Sequence, residues 1–198
     1  MSWIKAGARA VGETVPSSSH PLSEKNAMVS RSRPQGYSAA QIILHWLIAA
    51  LVVYQVVFGE QIAEAWRALR RGVEASPEAT FGANVHVYVG LAVLGLALLR
   101  LGLRLRYGAP PAPAGESAAQ KWIARLTHFV LYLVIFGMPV SGALAWYGGV
   151  GAAAELHEMA KPAIVVFVAL HALGALWQHF VARNDVLVRM LKPARQRG

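Results

Sequence analysis

Cysteine is absent from this 198-residue chain. That zero excludes disulfides, thiolate zinc sites, iron–sulfur clusters and the C-x-x-C-H attachment of a covalent haem. Charge is scarce as well: 15% of residues are Asp, Glu, Lys or Arg, where a soluble domain carries about 25%. Acidic residues are the scarcest class, ten against nineteen Lys and Arg. No Asp or Glu lies well inside an apolar run, so acidic partners for ion transport at mid-membrane depth are missing. A soluble enzyme is excluded by the same shortage of charge.

What is present is apolar. Hydrophobic residues make up 56% of the chain. Four stretches are free of Asp, Glu, Lys and Arg: Pro34 to Gly59, Ala79 to Leu99, Leu126 to Ala154 and Pro162 to Ala182. Each reaches the ~20 residues that a bilayer-spanning helix needs. The fold class that follows is all-α and integral to the membrane, a four-transmembrane-helix bundle. The helices are expected at about 38–59, 79–103, 122–147 and 154–182 of a membrane domain covering 37–190.

The formal charge of +9 does not point to nucleic acid, because the basic residues form no single face. They flank the apolar runs, where topology and lipid headgroups account for them. Arg31 and Arg33 precede the first run. The second connection holds Arg100, Arg104, Arg106, Lys121 and Arg125 against Glu116, and the tail holds Arg183, Arg189, Lys192, Arg195 and Arg197. The positive-inside rule therefore puts both termini and the second loop on the cytoplasmic side, and the first and third loops outside. Arg67, Arg70, Arg71 and Lys161 face outward, where Glu60, Glu64, Glu74 and Glu78 largely cancel their field. Residues 1–36 are polar and turn-rich, with no signal-peptide h-region. They read as a disordered cytoplasmic extension, with Met28 an equally good start. Residues 191–198 read as a basic cytoplasmic tail, and the proline-rich stretch from Pro110 to Gly115 reads as a linker.

Five of seven histidines lie in or at the mouths of the apolar runs: His45, His86, His128, His157 and His171. An ionisable side chain inside a span is costly and marks a functional site by default. His157 and His171 are fourteen residues apart, four helical turns, so they share a face about 21 Å apart along the axis. Helix direction then sorts the four into pairs by depth. His45 and His171 lie toward the inner side, and His86 and His157 toward the outer. Two imidazoles facing each other across a bundle can hold a flat macrocycle by its iron, with no open iron position. Without cysteine, two such groups would be non-covalent b haems, stacked in depth for electron relay across the bilayer.

The residues around these histidines resemble the bacterial cytochrome b561 family. The first run carries Gln41-Ile42-Ile43-Leu44-His45-Trp46. The second carries Asn84-Val85-His86-Val87-Tyr88-Val89-Gly90 and Leu99-Arg100-Leu101-Gly102-Leu103-Arg104. Thr127-His128-Phe129 and Met138-Pro139-Val140-Ser141-Gly142 resemble the family's third helix, and Leu156-His157-Glu158 and Leu170-His171-Ala172 its fourth. Likeness extends over roughly Tyr37 to Met190. It implies axial haem-iron ligation by His45, His86, His157 and His171, and electron exchange with ubiquinone or another quinone. Members described as superoxide oxidases have a longer third loop with an amphipathic segment. Here Trp146-Tyr147-Gly148-Gly149-Val150-Gly151 leads almost directly to His157.

Other residues take supporting roles. His128, one turn into the third helix, is a candidate for quinone binding or proton relay, or for a bond to a propionate or a helix carbonyl. No catalytic residue is otherwise assigned. Arg100 and Arg104 are placed to meet propionates of the inner haem, since a guanidinium forks onto a carboxylate. The tryptophans mark membrane interfaces, and the many glycines and alanines permit close helix approach.

The function expected is that of an oxidoreductase carrying electrons through two haems between the quinone pool and a small outer donor, with superoxide a candidate. The alternatives are a cytochrome b anchor subunit for a dehydrogenase or hydrogenase partner, and a cation transporter using histidine ligands.

Overall fold

Among the described residues, serines start three helices with a side-chain cap. Ser38 and Gln41 form a capping box: Gln41 N donates to Ser38 Oγ at 3.3 Å and Ser38 N to Gln41 Oε1 at 3.0 Å. Two of the orphan N–H groups at the helix start are thereby satisfied. Ser117 and Gln120 repeat the device, while Ser76 caps a helix with Pro77 in its first turn. Glycines stop two of the same helices: Gly108 at φ 79° and Gly149 at φ 65° adopt backbones that side chains disfavour.

The structure is a computed structural model describing residues 34, 36–59, 62–113 and 115–194. The expectations for the N-terminal extension, Met28, Arg31, Arg33, Glu60 and the last four tail residues fall outside it. Its helices are α1 (Ala39–Phe58), α2 (Ile62–Arg71), α3 (Pro77–Tyr107), α4 (Ala118–Gly148), α5 (Gly151–Phe180) and α6 (Val186–Arg189). There are no strands among the described residues. Four helices, α1, α3, α4 and α5, are long and apolar enough to cross a membrane.

Three of these overrun their charge-free runs. The α3 helix continues through the half-buried Arg104 and the exposed Arg106, whose long stem lets its charged head reach water. The α4 helix starts early because its Ser117 cap lies before the apolar stretch. A larger difference is α2, a ten-residue helix where only a charged outer loop was expected. Its Ala65 and Ala68 are buried, and Arg67, Arg70 and Arg71 are exposed on the other side. Ala65 packs with Ala79 and Ala83 of α3, and Ile62, Ala75 and Trp146 close over them. The segment is strongly amphipathic, but at ten residues it is too short to span a bilayer, so a search for long apolar runs passes over it.

Helix α1 packs on α3, α3 on α4 and α4 on α5. Ile48, Val52, Val93, Ala97, Val134 and Ile164 meet at mid-depth as an apolar core. The outward faces are equally apolar: Ile43, Val57, Leu98, Phe129, Leu133 and Leu173 are all exposed. In water this continuous surface would be heavily penalised, at about 25 cal/mol per Å²; in hydrocarbon it is the expected exterior. The chain after α5 folds back over the end of the bundle that carries His45 and His171, the end expected from its charge to be the inner one. Trp46 Nε1 donates to Met190 O at 2.7 Å, Ala194 N to Tyr37 O at 3.0 Å, and Arg189 Nη1 to Pro111 O at 2.9 Å. The 191–194 part of the expected tail is thus tied to Tyr37, just before α1.

Candidate functional site

The bundle brings the four selected histidines together in two pairs. The rings of His45 on α1 and His171 on α5 have centroids 5.9 Å apart, with planes crossed at 72°. Those of His86 on α3 and His157 on α5 are also 5.9 Å apart, crossed at 70°. A metal–imidazole bond is about 2 Å long, and a ring nitrogen lies about 1 Å from its centroid. Two imidazoles on one iron therefore put their centroids about 6 Å apart. Between the two pairs lies the apolar core of Ile48, Val52, Val93, Ala97, Val134 and Ile164.

The outer pair is held closely. His157 Nδ1 donates to Met138 O at 2.8 Å, so the proton sits on Nδ1 and the Nε2 lone pair is free for a metal. Ser141 Oγ donates to the same carbonyl at 3.0 Å and stands 3.4 Å from His157 Nδ1. Pro139 lacks the N–H that Ile135 O would accept, which loosens α4 in the turn presenting Met138 O. Glycine backs each ring. A Cβ on Gly142 would stand 3.1 Å from the His157 ring, and one on Gly59 3.0 Å from His86 Nδ1. The His86 Nδ1 atom itself is buried and has no hydrogen-bond partner among the described residues.

At the inner end a third imidazole joins the pair. The His128 ring lies 5.1 Å from that of His171, at 82°. His128 Nδ1 donates to Ala124 O, one turn back on its own helix, at 2.6 Å. Of its expected roles, the helix-carbonyl bond is present, and Nε2 is the nitrogen left over. The two arginines part ways. Arg100 keeps a buried Nε without a partner among the described residues. Arg104 Nη1 donates to Tyr132 Oη at 3.4 Å, and its guanidinium lies 5.8 Å from that ring's centroid.

The outer-end residues that sequence reasoning missed are Gly59, Ser141 and Gln55, the last donating from Nε2 to His86 O at 2.8 Å. At the inner end it missed Tyr132 and Gln41, whose Nε2 donates to Gly108 O at 3.2 Å. Gln41 and Gln55 carried a signal, since an amide inside an apolar run needs a partner. Gly59 and Tyr132 carried none.

A family profile for the prokaryotic cytochrome b561 matches residues 36–193, all six helices of the bundle. The chain belongs to the prokaryotic cytochrome b561 family. It is 40% identical over 158 residues to "Cytochrome b562" of Cereibacter sphaeroides, covering 80% of this chain and 96% of that one. It is 27% identical over 181 residues to "Probable superoxide oxidase CybB" of Yersinia pestis, covering 80% and 97%. "Cytochrome b561 homolog 2" of Escherichia coli is 25% identical over 186 residues, covering 80% and 92%.

Membership in the cytochrome b561 family makes this a multi-pass bacterial membrane protein of electron transfer, and it implies haem b. The residues present fit that group. The orphaned Arg100 Nε is a donor suited to a propionate, the imidazole pairs are spaced for an iron, and Gly59 and Gly142 keep the outer rings clear of side chains. Among the described residues, no group of three or more His, Asp or Glu is arranged to hold a bare metal ion.

Proposed function

We propose that this cytochrome b561 moves electrons across the membrane through two b haems per chain, one between His45 and His171 and one between His86 and His157. The single observation that carries the reading is the pair of crossed imidazole couples at two depths. A haem held by two imidazoles supplies one-electron exchange with no open position for oxygen. The chain's own work is positioning and insulation. Met138 O fixes the His157 tautomer, Arg100 offers a propionate its Nε–H, and the mid-depth core excludes water between the pairs.

The inner end, with Arg104, Arg106, Lys121, Arg125 and Arg189, is placed in the cytoplasm by its charge, with both chain termini. A quinone diffusing in the lipid exchanges electrons near the His45–His171 pair. Its reduction takes up protons, and His128 Nε2 is the atom proposed to pass them from the basic inner rim. A small aqueous donor reaches the outer pair, and superoxide fits by size. The superoxide-oxidase name of the Yersinia pestis relative supports that donor. In this chain the α4–α5 connection is only Gly149 and Val150, and α2 is the amphipathic element at the outer end.

Stopped-flow mixing with superoxide, with and without a ubiquinone analogue, tests the reading. Fast haem reduction followed by quinone-dependent reoxidation is expected. Absence of reduction by superoxide, with rapid reduction by quinol or a co-purifying dehydrogenase, would move the assignment to a carrier or an anchor subunit.

A further inference from the structure

The two outer imidazoles are supported unequally. His157 has an acceptor for its Nδ1 proton in Met138 O. His86 Nδ1 is buried with no partner among the described residues, and a buried N–H left unmet is costly. The neighbouring polar group is Gln55, a half-buried amide on α1. Its Nε2 reaches across to α3 and donates to the carbonyl of His86 itself. Gly90, one turn further along α3, lies beside it: a Cβ there would stand 3.5 Å from Gln55 Nε2, an ordinary contact.

With Nε2 engaged, Gln55 still has Oε1 to offer, and both Gln55 and His86 line the same cavity. It has a volume of about 30 Å³ and is walled otherwise by Tyr54, Phe58, Phe81 and Val85. One water needs about 10–15 Å³ of such space and two or more polar partners. The cavity has the room, and Gln55 Oε1 and His86 Nδ1–H supply an acceptor and a donor.

We propose that Gln55 is a positioning residue for His86: its amide clamps the His86 carbonyl and, through one water in this cavity, accepts the Nδ1 proton. The proposal rests on the reading that His86 and His157 hold the outer haem. It gives His86 what Met138 O gives His157, a fixed tautomer with Nε2 facing the iron and a defined ring orientation. An N–H that donates to an acceptor also makes the imidazole a stronger ligand. Loss of that acceptor therefore raises the haem's midpoint potential.

The test is a redox titration and low-temperature EPR of purified wild type, Gln55→Met, Gln41→Met and His86→Ala. The signal missing in His86→Ala identifies the outer haem. Gln55→Met, close in size but without a donor, is expected to keep both haems while shifting that signal and raising its potential. The inner haem should stay unmoved. Gln41→Met removes the bond to Gly108 O together with its half of the α1 capping box at the inner end, and is expected to leave the outer signal unchanged. Should Gln55→Met fail to insert, Gln55→Asn, one methylene too short to span the gap, is expected to give the same shift. An unshifted outer signal in the Gln55 variant, or an equal shift of both haems, overturns the proposal. Two haems retained in His86→Ala would instead overturn the assignment on which it stands.

Discussion

His157 on α5 gives its Nδ1 proton to the Met138 carbonyl on α4 across 2.8 Å. That one bond joins the two helices and sets which nitrogen of the ring faces the bundle interior. Gly142 sits one turn further along the same helix, directly behind the ring. The orientation of His157 is therefore written into α4 by a backbone carbonyl and a missing side chain.

A side chain at position 142 should displace that ring. Gly142→Ala puts a Cβ 3.1 Å from it, which the ring can accommodate only by moving a few tenths of an ångström. Gly142→Leu has no such escape. The expected outcome is reduced outer-haem content in the alanine variant and loss of one of two haems in the leucine variant, read by pyridine haemochrome against protein concentration. Full haem content in Gly142→Leu would show that the ring is not confined there.

Arg100 has a buried Nε with no acceptor among the described residues. Such a donor is stable when an anion meets it, and a haem propionate at the inner end is the anion proposed. Arg100→Leu should weaken inner-haem retention, while Arg104→Leu, which removes a guanidinium already paired with Tyr132, should have the smaller effect. Haem loss during mild detergent washing measures this, and equal loss in both variants would contradict the distinction.

Ala83 is fully buried between α2 and α3. Overpacking a close contact costs about 1–3 kcal/mol, so Ala83→Leu should lower thermal stability and detach α2. Increased protease cleavage around Arg67 to Arg71 in that variant, with none in wild type, is the expected signature. An unchanged cleavage pattern would mean that α2 does not depend on this seat.

The four spans were legible because each is an uninterrupted apolar run, and lipid demands such runs in continuous chain. The two histidine pairs were legible for a related reason. Helix direction alternates in a four-span bundle, so a residue's distance from the start of its run fixes its depth. His128 was legible as a surplus, but its bond to Ala124 O depends on a rotamer that no spacing encodes. What stayed hidden came from three-dimensional contact. Gly59 contributes through the space it leaves beside His86, a residue 27 positions later in the chain. Tyr132 matters through Arg104 on another helix, and the seat of α2 is made by Ala79 and Ala83 on the following helix.

The central claim is that two separate imidazole pairs each hold a b haem. Haem stoichiometry with dithionite-reduced minus oxidised spectra, taken on wild type, His45→Ala and His86→Ala, tests it most directly. Two haems per chain are expected in wild type, extractable by acid acetone without bond cleavage. One haem should remain in each variant, with spectra that differ and together account for that of wild type. A wild type holding a single haem, or the same residual spectrum in both variants, would contradict it.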